Sequence, residues 1–386
     1  MLHELTYLDH AATTAMHDDA VSAMQRWMTD VYANPSGSHR FARIARQAVD
    51  EARDDIAATL GVRSSEIVFT GSGTEADNHA IAGTIAARGG RAVCSAAEHH
   101  AVLDPVKHQG GRVIGVTSDA SINLDELDSF LRSADDVSIV SVMAVNNEVG
   151  TRTDLRQVVR VIRAAAPNAW IHTDAVQAAS WVDLRELSDL VDLMSLSAHK
   201  FGGPKGMGIL VMKGGASPHP LILGGGQERG HRSGTTDVAG VVAASVALRI
   251  TDANRAITVP RVASMKDRLL NQLATIDGVV ETVPREVTVP GIAHLCVEGA
   301  ESESLLFLLD EAGVCASAAS ACASGAMEAS HVLAAMGIAA TTRGGALRLS
   351  FGHTTTDHDI ERAIDVLTES IHRLRRGSSL RGVEIR

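Results

Sequence analysis

Lysine is scarce in this 386-residue chain: five lysines stand against 30 arginines. Arginine keeps its proton at any working pH, so a side-chain amine able to attack an aldehyde must come from Lys107, Lys200, Lys205, Lys213 or Lys266. Lys200 has the most telling surroundings. It follows the apolar run LVDLMSLS within SLSAHKFGGPKG (Ser195–Gly206), where nearly all neighbours are small and leave room for a bulky carbonyl compound. Taken alone, a lysine at a strand end is more often a solvated surface group. Lys107 and Lys266 lie in polar helical stretches, Lys213 closes ILVMK beyond a glycine turn, and Lys205 follows Gly203-Pro204.

Two other stretches carry chemistry that suits such a lysine. GSGTEADN, with Gly73 and Thr74, follows the strand-like EIVFT and opens a helix. Backbone N–H groups at a helix start form an anion seat, although Thr74 could simply cap its own helix. Asp174 ends WIHTD. A carboxylate closing an apolar strand is costly to bury without a partner, and the protonated ring nitrogen of pyridoxal phosphate is one established partner. For Asp174 alone, a turn aspartate capping AVQAA is the plainer reading. An anion seat, an acid and a lysine at successive strand ends together favour the cofactor.

The elements that must position these groups are legible from periodicity. EIVFT (66–70), RAVCSA (91–96), RVIGVT (112–117), VSIVSVM (137–143), WIHTDA (170–175) and LVDLMSLS (190–197) read as strands. VDEARDDIAATLG and LRQVVRVIRAAAP, between such runs, read as amphipathic helices. The alternation predicts an α/β fold with a mostly parallel sheet between helices, spanning about 17–255. Past the helical VPRVASMKDRLLNQLATIDG the spacing loosens into a smaller α+β domain, 256–386, with residues 1–16 expected to join it. Five strand ends, followed by GSGTEADN, AAEHH, NNEVG, Asp174 and His199-Lys200, converge on one sheet edge, where ligands of open parallel sheets bind.

Composition narrows the class. A hydrophobic share of 45% with 21% charged residues fits a globular protein. A net charge of −11 argues against nucleic acid as a partner. No apolar stretch approaches a membrane span and no signal peptide is evident. The four cysteines (Cys94, Cys296, Cys315, Cys322) show no C-x-x-C spacing, so disulfide frameworks and zinc sites are not expected and a reducing cytoplasm is.

Read in order, YLDHAATT, GSGTEADN, EHHAVL, VNNEVG, HTDAVQ, SLSAHKFGGPKG, GGGQERGHRSGT, SACAS with SHVLAAMG, and LRLSFGHTTT resemble the motifs of the cysteine desulfurases. These are pyridoxal-phosphate enzymes of fold type I in the class V aminotransferase family, and the resemblance covers nearly the whole chain. It implies that Lys200 joins the cofactor aldehyde and moves protons at the substrate α-carbon. It matches Asp174 to the pyridinium partner, Gln177 to the ring hydroxyl and His99 to the acid–base histidine stacked on the ring. Adjacent His100 is expected to point elsewhere if the segment is extended. Gly73, Thr74, Ser197 and His199 match phosphate contacts. Thr235 matches one that reaches in from the other subunit, which implies a homodimer. Asn147, also a cofactor neighbour, and Arg348 match residues that orient the amino-acid substrate.

Cys322 separates the chemistries. It sits in SAASACASGA, ten residues without a bulky side chain, and the expectation is a mobile loop (about 316–328) whose thiolate takes sulfur from L-cysteine as a persulfide and releases L-alanine. Relatives usually carry a glycine where this chain has Ala318-Ala319, which should stiffen the loop. Cys94, Cys296 and Cys315 are expected to be packing residues. The resemblance implies a sulfur acceptor such as an iron–sulfur scaffold protein and no metal of the chain's own, with Cys322 a candidate transient cluster ligand shared with a partner. Two other readings stay open: a related lyase acting on selenocysteine or a sulfinate, or an aminotransferase, and a non-catalytic protein on the same fold.

Overall fold

The structure, a computed structural model, describes residues 5–318, 322–323, 326–327, 330–338 and 345–381, with backbone alone for 322–323, 326–327 and 377–381. A short strand β1 (Thr6–Tyr7) precedes α1 (Asp18–Thr29) and α2 (Arg40–Leu60). Then follow β2 (Ile67–Thr70), α3 (Gly73–Arg88), β3 (Arg91–Ser95), α4 (His100–His108), β4 (Arg112–Ile114), α5 (Leu124–Ser133) and β5 (Val137–Ser141). The wound part continues through α6 (Leu155–Ala165), β6 (Trp170–Asp174), α7 (Leu184–Ser188), β7 (Leu193–Ser197), β8 (Gly208–Met212) and α8 (Val238–Leu273).

These strands form one seven-stranded sheet in the order β2-β8-β7-β6-β5-β3-β4, parallel except for β8. The six strands expected from the sequence are all present, each shorter by one to three residues. Because both faces are covered, the strands are apolar on both sides. Ile139 of β5 packs under α3 and α4, while its neighbour Val140 faces the core shared with α2 and α6. Helix α6 shows why such text is helical: Leu155, Val158 and Ile162 are buried at three- and four-residue spacing while the arginines between them are not.

After α8 come β9 (Val279–Glu281), β10 (Ile292–Val297), α9 (Ser302–Glu311), β11 (Val314–Cys315), β12 (Cys322–Ala323), β13 (Ala326–Met327), α10 (His331–Ala335), β14 (Ala346–Ser350) and α11 (Asp357–Arg381). Val332 and Leu333 of α10 pack with Ala97 and Val149, whereas β10, α9, β14 and α11 join the end of α8 in a second core. Its antiparallel sheet has the order β14-β10-β9. Residues near the N-terminus join it: β1 pairs parallel with β11, and Leu8 is fully buried in this core. Helix α8 runs unbroken through residues 255 and 256, and Pro260 lies inside it. Val241–Leu248 serve the first core and Val262–Leu273 the second, so one rigid helix ties both together.

Candidate active site

The strand ends do converge. A cavity of about 430 Å³ opens at the carboxyl edge of the sheet, lined by Gly73, Thr74, His99, Asn147, Asp174, Gln177, Ser197, His199, Lys200 and Arg348, all singled out from the sequence. Asp77 and Ser317 were not foreseen there. Thr235 does not line it and is exposed. Cys322 has only its backbone described, paired with Met327; the loop's residues 319–321, 324–325 and 328, including Ala319, lie outside the described residues.

Each wall has a local cause. At the start of α3 the Ser72 hydroxyl accepts from Glu75 N and the Ser72 carbonyl from Ala76 N. That leaves the N–H groups of Gly73 and Thr74 as the donors opening toward the cavity. Gly73 is required there: a Cβ would meet Val176 Cγ2 at 2.8 Å and Ser197 Cβ at 3.1 Å.

The EHH segment is not extended. His99 caps α4, its Nδ1 accepting from Ala101 N at 3.1 Å, so the neutral ring carries its proton on Nε2. Burial, and then the charge of Lys200, outweigh the pull of Asp174 and hold its pKa below the usual histidine value. His100, one residue into the helix, is exposed beside Asp104. The two asparagines of NNEVG divide their work. Asn146 is buried, accepting from Glu148 N and Val149 N at 2.9 Å each, and this turn presents Asn147 to the cavity.

Lys200 ends the short helical turn after β7 and is half-buried. Its Nζ donates to the carbonyls of Ala11 and Ala12, the latter at 2.9 Å. Burial, then Arg348, lower its pKa to about 8. Gln177 Nε2 donates to the same Ala11 carbonyl at 2.7 Å. The N-terminal segment thus lies under the lysine, a role its backbone plays and its sequence could not announce. Asp174 is buried and accepts from Val176 N at 2.8 Å; burial raises its pKa, while His99 and Lys200 pull it down. Arg348, on β14, donates to the Asn147 carbonyl at 2.7 Å and to Asp9 Oδ1 at 2.8 Å, while its Nε is buried without a partner among the described residues. The other lysines are elsewhere. Lys205 is exposed, and Lys266, expected in polar surroundings, is buried, donating to Thr288 Oγ1 and Val289 O. Cys94 and Cys296 are buried within strands. Among the described residues no cluster suits a metal ion, and no helix is long and apolar enough to cross a membrane.

The residues fit pyridoxal phosphate. The orphaned N–H groups at α3 and the close approach that only Gly73 permits make a phosphate cradle. The buried acid Asp174 and the amine of Lys200 share the cavity wall, and its volume lies in the range of small-ligand sites.

This sheet order, with the site at its strand ends and an arginine arriving from the second core, defines the fold type I architecture of pyridoxal-phosphate enzymes. The aminotransferase class-V family matches residues 6–363. An IscS-like cysteine desulfurase of Mycobacterium tuberculosis is 40% identical, with 97% of this chain and 98% of that protein covered. The solved structure of a NifS-like protein superposes with a TM-score of 0.87 at 32% identity, covering 96% of this chain and 99% of that one. A structure of SspA in complex with cysteine gives a TM-score of 0.76 at 28% identity, covering 89% and 98%. The chain belongs to the aminotransferase class-V family and, within it, to the cysteine desulfurases.

Proposed function

We propose that this chain moves the sulfur of L-cysteine onto Cys322 and releases L-alanine, with pyridoxal phosphate held at Lys200. One observation carries the reading: a single cavity gathers the anion seat of α3, the buried Asp174, the amine of Lys200 and the guanidinium of Arg348. Gly73, Thr74, Ser197 and His199 would hold the phosphate, Gln177 the ring hydroxyl and Asp174 the ring nitrogen. When bound, the cofactor supplies an electron sink for the bond pair left at the substrate α-carbon.

The chain's own groups do the rest. Arg348, which lines the cavity, would receive the substrate carboxylate, with Asn147 beside it. With its pKa near 8, Lys200 is partly neutral at physiological pH and can accept the α-proton at Nζ. His99, neutral with its proton on Nε2, can hold or return a proton in the cavity. The Cys322 thiolate attacks the substrate sulfur: an S–S bond forms, the Cβ–S bond breaks, and the β-carbon gains a proton on its way to alanine. Thiol plus cysteine gives persulfide plus alanine, with no outside oxidant.

The exposed Thr235 supports a homodimer in which it reaches a neighbour's cofactor. The persulfide would pass to an acceptor protein such as an iron–sulfur scaffold, in a reducing cytoplasm where thiols stay free. The proposed division into a large unit (17–255) and a small one (1–16 and 256–386) is supported by the separate core around β10, β14 and α11, although Ala11, Val289 and Ile292 pack in the first core.

The test is product formation. The purified yellow protein should release alanine and, with a thiol reductant, sulfide from L-cysteine in equal amounts. Cys322→Ala should lose at least about a thousandfold of this activity. A variant that still releases sulfide would favour the selenocysteine, sulfinate or aminotransferase readings.

A further inference from the structure

The sheet face beneath α3 and α4 is apolar except for one polar seam. Ser141, His172 and Ser195 face it from three adjacent strands, two residues after apolar positions such as Ile139 and Leu193. His172 Nδ1 lies 2.8 Å from Ser141 Oγ, and its Nε2 lies 2.9 Å from Ser195 Oγ. Asp77, on the second turn of α3, comes down onto this seam with Oδ1 3.6 Å from His172 Nε2, beyond hydrogen-bond range. That oxygen has no hydrogen-bond partner among the described residues, and Asp77 is 1% exposed while lining the same cavity as Asp174.

Two buried carboxyls on one wall cannot both carry charge without counter-ions. Burial raises Asp174 as well, but His99, the Val176 N–H and Lys200 all favour its anion. Asp77 has only the Ser195 hydroxyl, and Glu98 adds a further repulsion. His172 gives no compensation, since burial holds its pKa at about 3 and keeps it neutral. Burial first, and then Asp174, push the Asp77 carboxyl well above the ordinary aspartate range.

We propose that Asp77 is a positioning residue of the cofactor site: it remains a neutral acid packed against His172 and Ser195, reserving the negative charge of the cavity wall for Asp174. The inference rests on reading Asp174 as the partner of the cofactor's ring nitrogen. An anionic Asp77 would divide that interaction and raise the basicity of every group on the wall. Asp77 is not expected to touch the reacting atoms.

The test uses the holoenzyme, with Asp77→Asn as the neutral isostere and Asp77→Ala as the truncation. In the infrared difference between wild type and Asp77→Asn at neutral pH, the carbonyl band of a protonated carboxylic acid should be lost. Asp77→Ala should weaken cofactor retention about tenfold, and Asp77→Asn should restore it, because shape and hydrogen bonding at the seam are what matter. The midpoint of the cofactor's absorbance change with pH should stay within about half a unit of wild type in Asp77→Asn, since no charge has been removed. A difference spectrum showing carboxylate bands instead, or a midpoint lower by about one unit or more, overturns the inference. The infrared and midpoint comparisons need only wild type and the isostere, so a misfolded Asp77→Ala leaves the question decided. Protein that never acquires the visible chromophore removes the reading of Asp174, and the inference with it.

Discussion

The surroundings of Lys200 and of Lys266 are instructive side by side. Burial lowers both amines to a pKa of about 8. Lys266 does not line the Lys200 cavity: its Nζ donates to Thr288 Oγ1 at 2.6 Å and Val289 O at 3.1 Å, stitching α8 to the chain ahead of β10. Lys200 likewise donates to two carbonyls, yet it borders a 430 Å³ space with a buried acid and a helix start on the same wall. A depressed lysine pKa therefore reports burial. Reactivity needs open volume and a second group that gains from what the amine binds.

Exchanging the two roles is the largest expected effect. Lys200→Ala should remove the borohydride-bleachable chromophore and at least about a thousandfold of sulfur release. Lys266→Met should keep the chromophore but lower stability by about 1–3 kcal/mol, because the acceptors it served stay buried. Visible spectra and denaturant melts of both variants check this. A colourless Lys266→Met, or a yellow and active Lys200→Ala, would break the comparison.

A pH experiment sharpens it. Only a neutral amine captures an aldehyde, so uptake of pyridoxal phosphate by apoprotein should accelerate about tenfold per pH unit below pH 8 and level off above, as stopped-flow absorbance would read. Lys266→Met should leave that curve in place. The stability sign is fixed by the same shift. The folded pKa lies below the unfolded one, so the cost of burying charged Lys200 is full below about pH 8 and fades as pH rises toward 10.5.

How far all this was legible depended on the kind of signal. Strands buried on both faces declare themselves as apolar runs, and a lysine among small residues at the end of one is conspicuous because lysine is rare here. The helix begun by His100 was hidden, since EHH carries no apolar period and Pro105 lies inside it. Carboxyls placed by tertiary contacts were hidden too. Asp77 and Asp9 look in sequence like any helix or loop acid, and only tertiary packing brings one under the cavity and the other onto Arg348. Lys266 sits among charged residues along the chain, but its own face of α8 turns inward. The carbonyls of Ala11 and Ala12 have no side-chain signature at all.

Asp9 marks the next effect down. It fixes one end of the Arg348 guanidinium while the Asn147 carbonyl fixes the other, and together they set how the guanidinium meets the cavity. Asp9→Asn weakens one charge-assisted contact, and the KM for L-cysteine should rise about tenfold with a smaller change in kcat. Steady-state kinetics test it, and an equal fall in kcat with unchanged KM would place Asp9 in the chemical step instead.

The smallest effect concerns the region that the cavity does not include. Thr235 is exposed, in a segment that also exposes Leu221, Ile222 and Leu223. If it completes a neighbour's phosphate seat, Thr235→Ala should weaken cofactor affinity about fivefold, the worth of one hydrogen bond. Hybrid dimers decide where the contact is made. A chain carrying Lys200→Ala paired with one carrying Thr235→Ala has one site with an intact lysine. If the threonine acts across the interface, that site receives an unaltered Thr235 from its partner and recovers wild-type affinity. If the threonine serves its own chain, the same site stays about fivefold weaker, and the cavity is complete within a single subunit.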